Sequence, residues 1–355
     1  MPEVSTRGPV LVTGGTGFVA GQLVAHLLDT GRTVHATVRN PSLGDKMAGL
    51  NVLAERHPGK LKIFAADLLD PGSFAKAMEG CVVVHHVASP FLMPEKIADG
   101  RTQMLEPALE GVRNVLGTVN ATPSVERVVM TSTIGAIFGD YIDVVEKMGG
   151  VCREAFFNDT STVDHNPYHY SKVMAEKEAW AIAEAQSRWD LVCINPGLVL
   201  GPSLSPQSDS GSLFLLDELL RGDFFYGAAR LRFATVDVRD VAHAHAAAAD
   251  RPEAHGRYIV AAREMASFVQ MADALRDIHD RPGRLPRWEI PDWMVRLIGP
   301  AFGLSQRYMR NHLGIRFELD NARSIAELGV RYRPRAETLR DHFLSWQCSR
   351  GVAGG

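Results

Sequence analysis

Apolar and polar positions follow two alternating patterns along the first two thirds of the chain. Short apolar runs indicate buried strands, and longer stretches with apolar residues three or four positions apart indicate amphipathic helices. Strands are predicted at residues 9–12, 33–38, 61–65, 82–87, 127–130, 191–195 and 257–260. Helices are predicted at residues 17–28, 41–55, 71–78, 99–120, 168–186 and 237–249. This alternation predicts an α/β fold with a doubly wound parallel sheet, covered by helices on both faces.

A glycine-rich turn, TGGTGFVAG at residues 13–21, joins the first predicted strand to the first predicted helix. Gly14 permits the tight turn, and Gly17 lets a pyrophosphate approach the N–H groups at the helix N-terminus. Ala20 is the third small residue, so the spacing is G-x-x-G-x-x-A. Because strand, turn and helix occur in this order, a dinucleotide site is favoured over an ordinary turn. The residues predicted to contact the cofactor here are Thr13, Gly14, Thr16, Gly17, Phe18 and Val19.

The residue after the second strand indicates which dinucleotide binds. An acidic residue there would bind the ribose 2′-hydroxyl of NAD, whereas a basic one accommodates the 2′-phosphate of NADP. Arg39 occupies that position and Lys46 follows it, so NADP is predicted. Asp67, after the third strand, either contacts the adenine or caps a turn. The fourth strand ends in small residues that either lie along the cofactor or only pack, namely Val87, Ala88 and Ser89.

The second half of the chain has a less regular pattern. Residues 201–211 are rich in Gly, Pro and Ser and predict a loop, and the chain after residue 265 is mostly helical with several prolines. We therefore predict an NADP-binding Rossmann domain at residues 1–195, to which residues 236–262 return. A smaller, mostly helical C-terminal substrate lobe is predicted at residues 196–235 and 265–347.

Tyr168 and Lys172 lie four residues apart, on one face of a predicted helix. A free tyrosine, with a pKa of about 10, is a poor acid or base near neutral pH. A nearby ammonium and an oxidised nicotinamide would lower the pKa of the phenol and let it exchange a proton with a carbonyl or alcohol oxygen. Such a pair is also common by chance. The Thr-Ser-Thr run at residues 131–133 ends the fifth strand, where a hydroxyl either polarises a carbonyl or shapes the turn.

These motifs together resemble the extended short-chain dehydrogenases/reductases. Within them the chain is similar to the dihydroflavonol reductase-like branch of the NAD-dependent epimerase/dehydratase superfamily. The resemblance covers residues 8–262 and weakens in the C-terminal lobe. It is carried by TGGTGFVAG, ATVRNP (36–41), Asp67-Leu68, the Thr-Ser-Thr run, YHYSK (168–172), NPGLVLGP (195–202) and VDVRDVAHAH (236–245).

The resemblance implies a catalytic trio of Tyr168, Lys172 and a hydroxyl that aligns with Thr133, with Ser132 as the second choice. It implies that Tyr168 and Lys172 also touch the cofactor. Arg39 and Lys46 match the residues that hold the 2′-phosphate in this branch. Further contacts to the cofactor are implied for Leu68 beside Asp67 and, near the nicotinamide carboxamide, for Pro196, Gly197, Leu198 and Val199.

The resemblance also limits the substrate. Plant flavonoid reductases carry a polar residue five positions after the catalytic serine, where this chain has Phe138. Polyhydroxylated flavonoids are therefore disfavoured. Beside Tyr168, the aromatic residues that suggest an apolar or aromatic carbonyl substrate, or else simply a packed core, are Phe91, Phe138, Phe224, Phe225 and Tyr226.

The expected activity is the reversible, NADPH-dependent reduction of an apolar or aromatic ketone or aldehyde to its alcohol. One alternative is a nucleotide-sugar epimerase or dehydratase, which keeps NAD bound. Another is an enzyme similar to 3β-hydroxysteroid dehydrogenases. A non-enzymatic NADPH sensor is a further alternative, although sensors of this fold tend to lack the Tyr–Lys pair.

Composition narrows these expectations only slightly. Of 355 residues 46% are hydrophobic and 22% charged, with a formal net charge of −3, which argues against disordered, fibrous and nucleic-acid-binding chains. The four cysteines are far apart, and no apolar run reaches the ~18–20 residues that span a bilayer. The N-terminus does not resemble a signal peptide. We expect a cytoplasmic monomer or homodimer that acts on a small-molecule carbonyl compound, without metal, nucleic-acid or membrane partners.

Overall fold

The computed structural model describes residues 8–42, 44–90, 92, 96–204 and 211–350. Within these residues, seven parallel strands form one sheet in the order β11-β7-β5-β4-β1-β2-β3. The strands are β1 (Val10–Val12), β2 (Val34–Val38), β3 (Leu61–Ala65), β4 (Val83–His86), β5 (Arg127–Thr131), β7 (Asp190–Pro196) and β11 (Gly256–Val260). The predicted doubly wound α/β sheet is therefore confirmed, and it includes the strand predicted at residues 257–260.

Helices cover both faces of the sheet because most of its strands are apolar on both sides. One face packs against α1 (Phe18–Asp29), α2 (Gly44–Arg56) and α8 (Val238–Asp250). The other packs against α3 (Ala75–Met78), α4 (Glu106–Ala121) and α6 (Pro167–Glu184). The helix predicted at residues 99–120 is divided into a π-helical turn, Arg101–Leu105, followed by α4. The helix predicted at residues 71–78 contracts to the four residues of α3.

The strand order places the chemistry at one edge of the sheet. The chain runs outward from β1 to β3 and then crosses back to β4, on the other side of β1. In such open sheets ligands bind beyond the carboxyl ends of the strands, at the point where the strand order reverses. The glycine-rich turn after β1 lies at this point, next to the end of β4.

Most of the remaining elements belong to residues 196–235 and 265–349, which are called the C-terminal lobe below. One apolar cluster is built mainly from α7 (Gly211–Arg221), α9 (Phe268–Leu275) and α13 (Arg335–Ser349), and a smaller one involves α10 (Asp292–Ile298) and α11 (Gln306–His312). The lobe also contains α12 (Ala322–Ala326) and a 3₁₀ helix, Gly299–Phe302. Short strand pairs are β8 (Leu198–Leu200) with β10 (Thr235–Asp237), β9 (Arg232–Phe233) with β12 (Ala266–Ser267), and β6 (Val151–Cys152) with β13 (Glu318–Leu319). No described helix is long and apolar enough to cross a membrane.

The helix at residues 141–148 was not predicted from the sequence. Residues 141–148 form α5 (Tyr141–Met148) immediately after the segment that follows β5. A capping box between Asp140 and Asp143 begins the helix, and Gly149 ends it in a left-handed conformation. This short helix carries Tyr141 to the wall of the cleft described below.

Candidate active site

A cleft of about 1710 Å³ runs along the carboxyl edge of the sheet and under the C-terminal lobe. This exceeds the volume of about 300–1,000 Å³ of a typical small-ligand pocket, so the cleft can hold a dinucleotide together with a second molecule. It brings together most of the residues singled out in the sequence. Those that line it are Gly14, Thr16, Gly17, Phe18, Val19, Arg39, Lys46, Asp67, Leu68, Val87, Ala88, Ser89, Ser132, Thr133, Phe138, Tyr168, Lys172, Pro196, Gly197, Leu198 and Val199.

The glycine-rich turn forms a narrow cradle at the N-terminus of α1. Gly14 has a φ of +72°, and a Cβ atom there would lie 3.0 Å from the Cβ of Ala88. Glycine at position 14 therefore permits both the positive φ of the turn and the close approach of the segment after β4. Gly17 stands at the N-cap of α1 without a side chain to cap it, so N–H groups of the first turn remain for an anionic ligand.

Thr13 has a supporting position rather than one on the cleft wall. Its side chain is fully buried, and its Oγ1 accepts N–H bonds from Val87 at 3.0 Å and Ala88 at 2.9 Å. These bonds join the end of β1 to the chain after β4. Thr13 thus shapes the cradle from behind, and the contact to cofactor predicted for it has no direct counterpart in the lining of the cleft.

Arg39 and Asp67 form an ion pair at the outer end of the cleft. Arg39 Nε lies 3.3 Å from Asp67 Oδ2, and the Arg39 side chain is 80% exposed. Asp67 also accepts the N–H of Leu69 at 2.9 Å through Oδ1, which is a turn-capping contact. An exposed pair of this kind contributes little to stability, on the order of 0–1 kcal/mol, so Arg39 can turn towards a phosphate at small cost.

Tyr168 lies in the first turn of α6, where the chain is set by an unusual cap. Asn166 adopts a left-handed conformation (φ 57°), and its side chain accepts the N–H of His169. The Nζ of Lys172 is 5.8 Å from the centre of the Tyr168 ring. The two residues therefore share one helix face beside the cleft, as their spacing predicts.

The pKa values of this pair differ from the expectation for tyrosine. Burial raises the pKa of Tyr168 to about 12, so the protein's own groups keep the phenol protonated and do not lower its pKa. Burial also lowers the pKa of Lys172 to about 8, against the opposing effect of the nearby Glu176 carboxylate. Tyr168 is thus uncharged near neutral pH, whereas the charge of Lys172 changes at about pH 8.

A buried charge network supports the pair from below. Glu176 is fully buried, four residues after Lys172, and accepts bonds from Arg257 Nε at 2.5 Å and Asn195 Nδ2 at 3.0 Å. Ser132 Oγ also donates to Glu176. Asn195 Nδ2 donates in addition to the backbone oxygen of Thr133 at 3.0 Å. The network therefore links β11, α6 and β7 to the end of β5. Sequence reasoning missed Glu176 and Arg257, because neither belongs to a recognisable spacing.

The two candidate hydroxyls differ in their burial and in their hydrogen-bond partners. Ser132 is buried and its hydroxyl points to Glu176. Thr133 is half-buried, and its Oγ1 accepts the N–H of Gly135 at 3.2 Å. Among the described residues, no acceptor is found for the Thr133 hydroxyl hydrogen. Thr133 is therefore the hydroxyl better suited to bind a ligand in the cleft.

The far wall of the cleft is more polar and more aromatic than the sequence suggested. Asp140 lies at its centre, with Asn311 Nδ2 at 2.6 Å and His165 Nε2 at 3.0 Å from its Oδ2. His312 Nε2 is 3.6 Å from the other carboxylate oxygen. Tyr308 stacks on His312 with ring centres 4.2 Å apart. Residues 308–312 lie far from Asp140 in the sequence and contain no motif, so no sequence signal identified them.

The aromatic residues proposed for the substrate are in different places. Phe138 lines the cleft but is nearly fully buried, with its ring 5.2 Å from that of Phe317. Phe224 instead packs against Phe268 at 5.0 Å in the core of the lobe. Phe225 and Tyr226 are exposed and do not line the cleft, because they follow α7 on the outer surface of the lobe. Phe91 lies outside the described residues.

A family model supports the similarity over most of the chain. Residues 10–262 match the NAD dependent epimerase/dehydratase family. The chain belongs to this family. Among its described residues, no group of three or more His, Cys, Asp or Glu side chains is arranged to hold a metal ion.

Curated proteins similar to this chain include plant reductases. The chain is 35% identical over 272 residues to cinnamoyl-CoA reductase CAD2 of Medicago truncatula, covering 76% of this chain and 80% of the relative. It is 35% identical over 320 residues to anthocyanidin reductase of Arabidopsis thaliana, covering 86% and 89%. A solved structure of yeast methylglyoxal/isovaleraldehyde reductase, complexed with NADPH, is 26% identical with a TM-score of 0.75, covering 97% of this chain and 99% of the other.

Proposed function

We propose that this protein reduces an apolar or aromatic ketone or aldehyde to the alcohol, with Tyr168 as the proton donor. It is an NADPH-dependent reductase of the extended short-chain dehydrogenase/reductase type. The observation that carries the finer proposal is the meeting of Tyr168, Thr133 and the glycine cradle in one cleft. A carbonyl group held in this cleft would accept a hydrogen bond from the Thr133 hydroxyl and a proton from the Tyr168 phenol.

The residues along the cleft fit NADPH. The cradle at Gly14 and Gly17 would hold the pyrophosphate, because a side chain at Gly14 would meet Ala88 and because the turn presents backbone N–H groups. Arg39, exposed beside Asp67, would take the 2′-phosphate with Lys46. When bound, NADPH supplies a hydride to the carbonyl carbon of the substrate.

Proton transfer is the part of the reaction that this chain's own side chains perform. Reduction of the carbonyl carbon would place negative charge on the carbonyl oxygen. The Thr133 hydroxyl donates a hydrogen bond to that oxygen, and the Tyr168 phenol gives it a proton. A pKa near 12 keeps Tyr168 protonated over the physiological pH range, which suits the direction of reduction. Lys172, while charged, stabilises the resulting phenolate.

The choice of substrate class rests on the inner part of the cleft. Phe138, Leu198 and Phe233 give this part an apolar character, and Phe138 cannot hydrogen-bond the hydroxyls of a flavonoid. The polar wall at Asp140 and His165 lies in the same cleft and would tolerate one hydrogen-bonding substituent. We therefore propose an aryl or alkyl carbonyl compound with few hydroxyl groups.

The proposal is tested by measuring NADPH consumption against aromatic ketones, aliphatic aldehydes, diketones, steroids and a polyhydroxylated flavonoid. The expected result is turnover of aromatic ketones or aldehydes with NADPH and much weaker turnover of the flavonoid. NAD recovered with the purified protein, together with conversion of a nucleotide sugar, would replace the proposal with an epimerase or dehydratase. Binding of NADPH without reduction of any carbonyl compound would replace it with a sensor.

A further inference from the structure

The segment of residues 281–316 exposes an unusual amount of apolar surface. Trp293 and Leu297, four residues apart on α10, are 66% and 74% exposed. Phe302, at the end of the following 3₁₀ helix, is 67% exposed. Met294 and Ile298 extend the stripe along the same helix, whereas Val295 is buried in the lobe. The outward side of α10 therefore presents four apolar side chains together with the exposed Arg296.

This segment also carries more positive than negative charge. It contains seven arginines, all exposed, and none makes a salt bridge with any residue that the structure describes: Arg281, Arg284, Arg287, Arg296, Arg307, Arg310 and Arg316. Its two carboxylates are only half-exposed and are paired with other arginines. Glu289 lies 3.3 Å from Arg232, and Asp292 lies 2.5 Å from Arg230. The positive charge is local, because the whole chain has a formal net charge of −3.

The same segment also forms part of the cleft wall. Gly303, Leu304, Ser305 and Tyr308 line the cleft, directly after the exposed Phe302. A surface bound by α10 and the 3₁₀ helix would therefore lie close to the substrate end of the cleft. One segment therefore forms both the exposed apolar stripe and part of the cleft wall.

We propose that residues 281–316 bind the surface of an anionic phospholipid bilayer. The indole of Trp293 and the side chains of Leu297 and Phe302 enter the headgroup region, and the unpaired arginines contact lipid phosphates. The expectation of no membrane partner rested on the lack of a spanning segment, which does not bear on binding at the surface. Binding is independent of the reductase activity. Its use for that activity, delivery of an apolar carbonyl substrate from the bilayer, rests on the proposed function.

Other occupants fit this surface less well. A second copy docked through the same face would bring the unpaired arginines of both copies together, and like charges oppose such a symmetric interface. A nucleic acid would pair with the arginines and stack on Trp293 or Phe302, but it would leave the aliphatic Leu297 and Ile298 exposed without an apolar partner. A surface with lipid phosphates above an apolar layer is the partner that satisfies both the charges and the apolar stripe.

The direct test is co-sedimentation of the full chain with vesicles of phosphatidylcholine alone or mixed with phosphatidylglycerol. The expected result is binding to the mixed vesicles only, weakened by salt. An R296E/R307E variant should bind at least about tenfold more weakly, because each basic residue near the surface strengthens binding. A W293S/L297S variant should lose binding to a similar extent. R56E and L344S, which change an exposed arginine and an exposed leucine outside the segment, are the matched controls.

The outcomes separate this proposal from the reductase function. Turnover of a water-soluble carbonyl substrate should be unchanged in all four variants, because none of these residues lines the cleft. Equal binding of the wild type to both kinds of vesicle, or equal binding by R296E/R307E, would overturn the proposal. So would a dimer in solution that W293S/L297S dissociates, or binding to DNA in place of vesicles. Absence of turnover of any carbonyl compound by the wild type, with vesicle binding retained, would count against the proposed function alone.

Discussion

The carboxyl edge of the sheet and the segment of residues 281–316 differ in the burial and pairing of their charged side chains. At the sheet edge, Glu176 and Arg257 are buried and bonded to each other and to polar neighbours. In the outer segment, arginines such as Arg296 are exposed and unpaired among the described residues. A buried charge is costly when its partner is lost, whereas an exposed one is screened by water. The first region therefore holds a fixed arrangement of buried charges beside the cleft, whereas the second presents its charges to solvent.

The largest stability effect is expected at the buried network. Changing Glu176 to Gln leaves the Arg257 guanidinium uncompensated, which should lower the free energy of unfolding by about 3–5 kcal/mol. Denaturant unfolding measures this loss. Glu178, on the same helix as Glu176, offers the matched control. Changing it to Gln breaks a more exposed ion pair with Arg113 of α4 and should cost about 0–1 kcal/mol. Equal effects of the two changes would contradict the contrast between buried and exposed charge.

The Glu176 to Gln variant also has a signature in its pH dependence. The Glu176 carboxylate favours the charged form of Lys172, whose pKa lies at about 8. The charge of Lys172 in turn contributes to the lowered pKa of the buried His86. Removing the carboxylate should lower the pKa of Lys172. The alkaline decline in the rate of reduction should then begin at a lower pH. An unshifted pH profile would mean that Glu176 acts on stability alone.

The next largest effect distinguishes the two hydroxyls at the end of β5. Thr133 to Val removes a hydroxyl from the cleft with little change of shape and should lower kcat by about a hundredfold, as loss of a single donor to a developing oxyanion does. Ser132 to Ala should leave kcat within a few-fold but lower stability by about 1 kcal/mol, because it removes one bond to Glu176. Steady-state kinetics and unfolding measure both. The reverse pattern would assign the catalytic role to Ser132.

A smaller effect is expected at the outer end of the cleft. Arg39 to Ala should weaken NADPH binding roughly tenfold and leave NADH binding unchanged, because only NADPH has the 2′-phosphate. Asp67 to Asn removes the competing ion-pair partner of Arg39 and should leave NADPH binding equal or slightly tighter. Titration with each nucleotide measures the two affinities. Equal losses for NADH and NADPH in the Arg39 variant would show that Arg39 does not contact the phosphate.

The smallest effect on stability is expected in the outer segment. Trp293 to Ser and Arg296 to Glu change exposed side chains without partners in the core, so the free energy of unfolding should change by no more than about 0.5 kcal/mol. Thermal or denaturant unfolding measures this. A large loss would mean that α10 is held by contacts of Trp293 that its exposure does not suggest.

The sheet and its cradle were predictable because their signals are local. The strands of the first half are nearly continuous apolar runs, and the turn at Gly14 and Gly17 has its own spacing. The same holds for Tyr168 and Lys172, whose separation follows from the helical repeat. The doubly wound fold could therefore be predicted, because each of its signals lies within a single short stretch of the sequence.

The rest of the site depends on contacts between distant parts of the chain. Ser132 and Thr133 differ in their surroundings because of Glu176 and Asn195, which lie 44 and 62 residues away along the chain from the groups they contact. Tyr308 reaches the cleft through the packing of α11, which carries no motif. The outward position of Phe225 likewise follows from how the lobe packs and not from its apolar character. Residue type alone could not distinguish these cases.

The central claim is that Tyr168 donates the proton to the carbonyl oxygen, and replacement of Tyr168 by Phe tests it most directly. Single-turnover oxidation of bound NADPH by a carbonyl substrate should slow by about 10²–10⁴-fold in this variant, the usual contribution of a positioned acid. Titration should show NADPH binding close to that of the wild type, because the cradle at Gly14 and Gly17 is untouched. A single-turnover rate equal to that of the wild type would contradict the account.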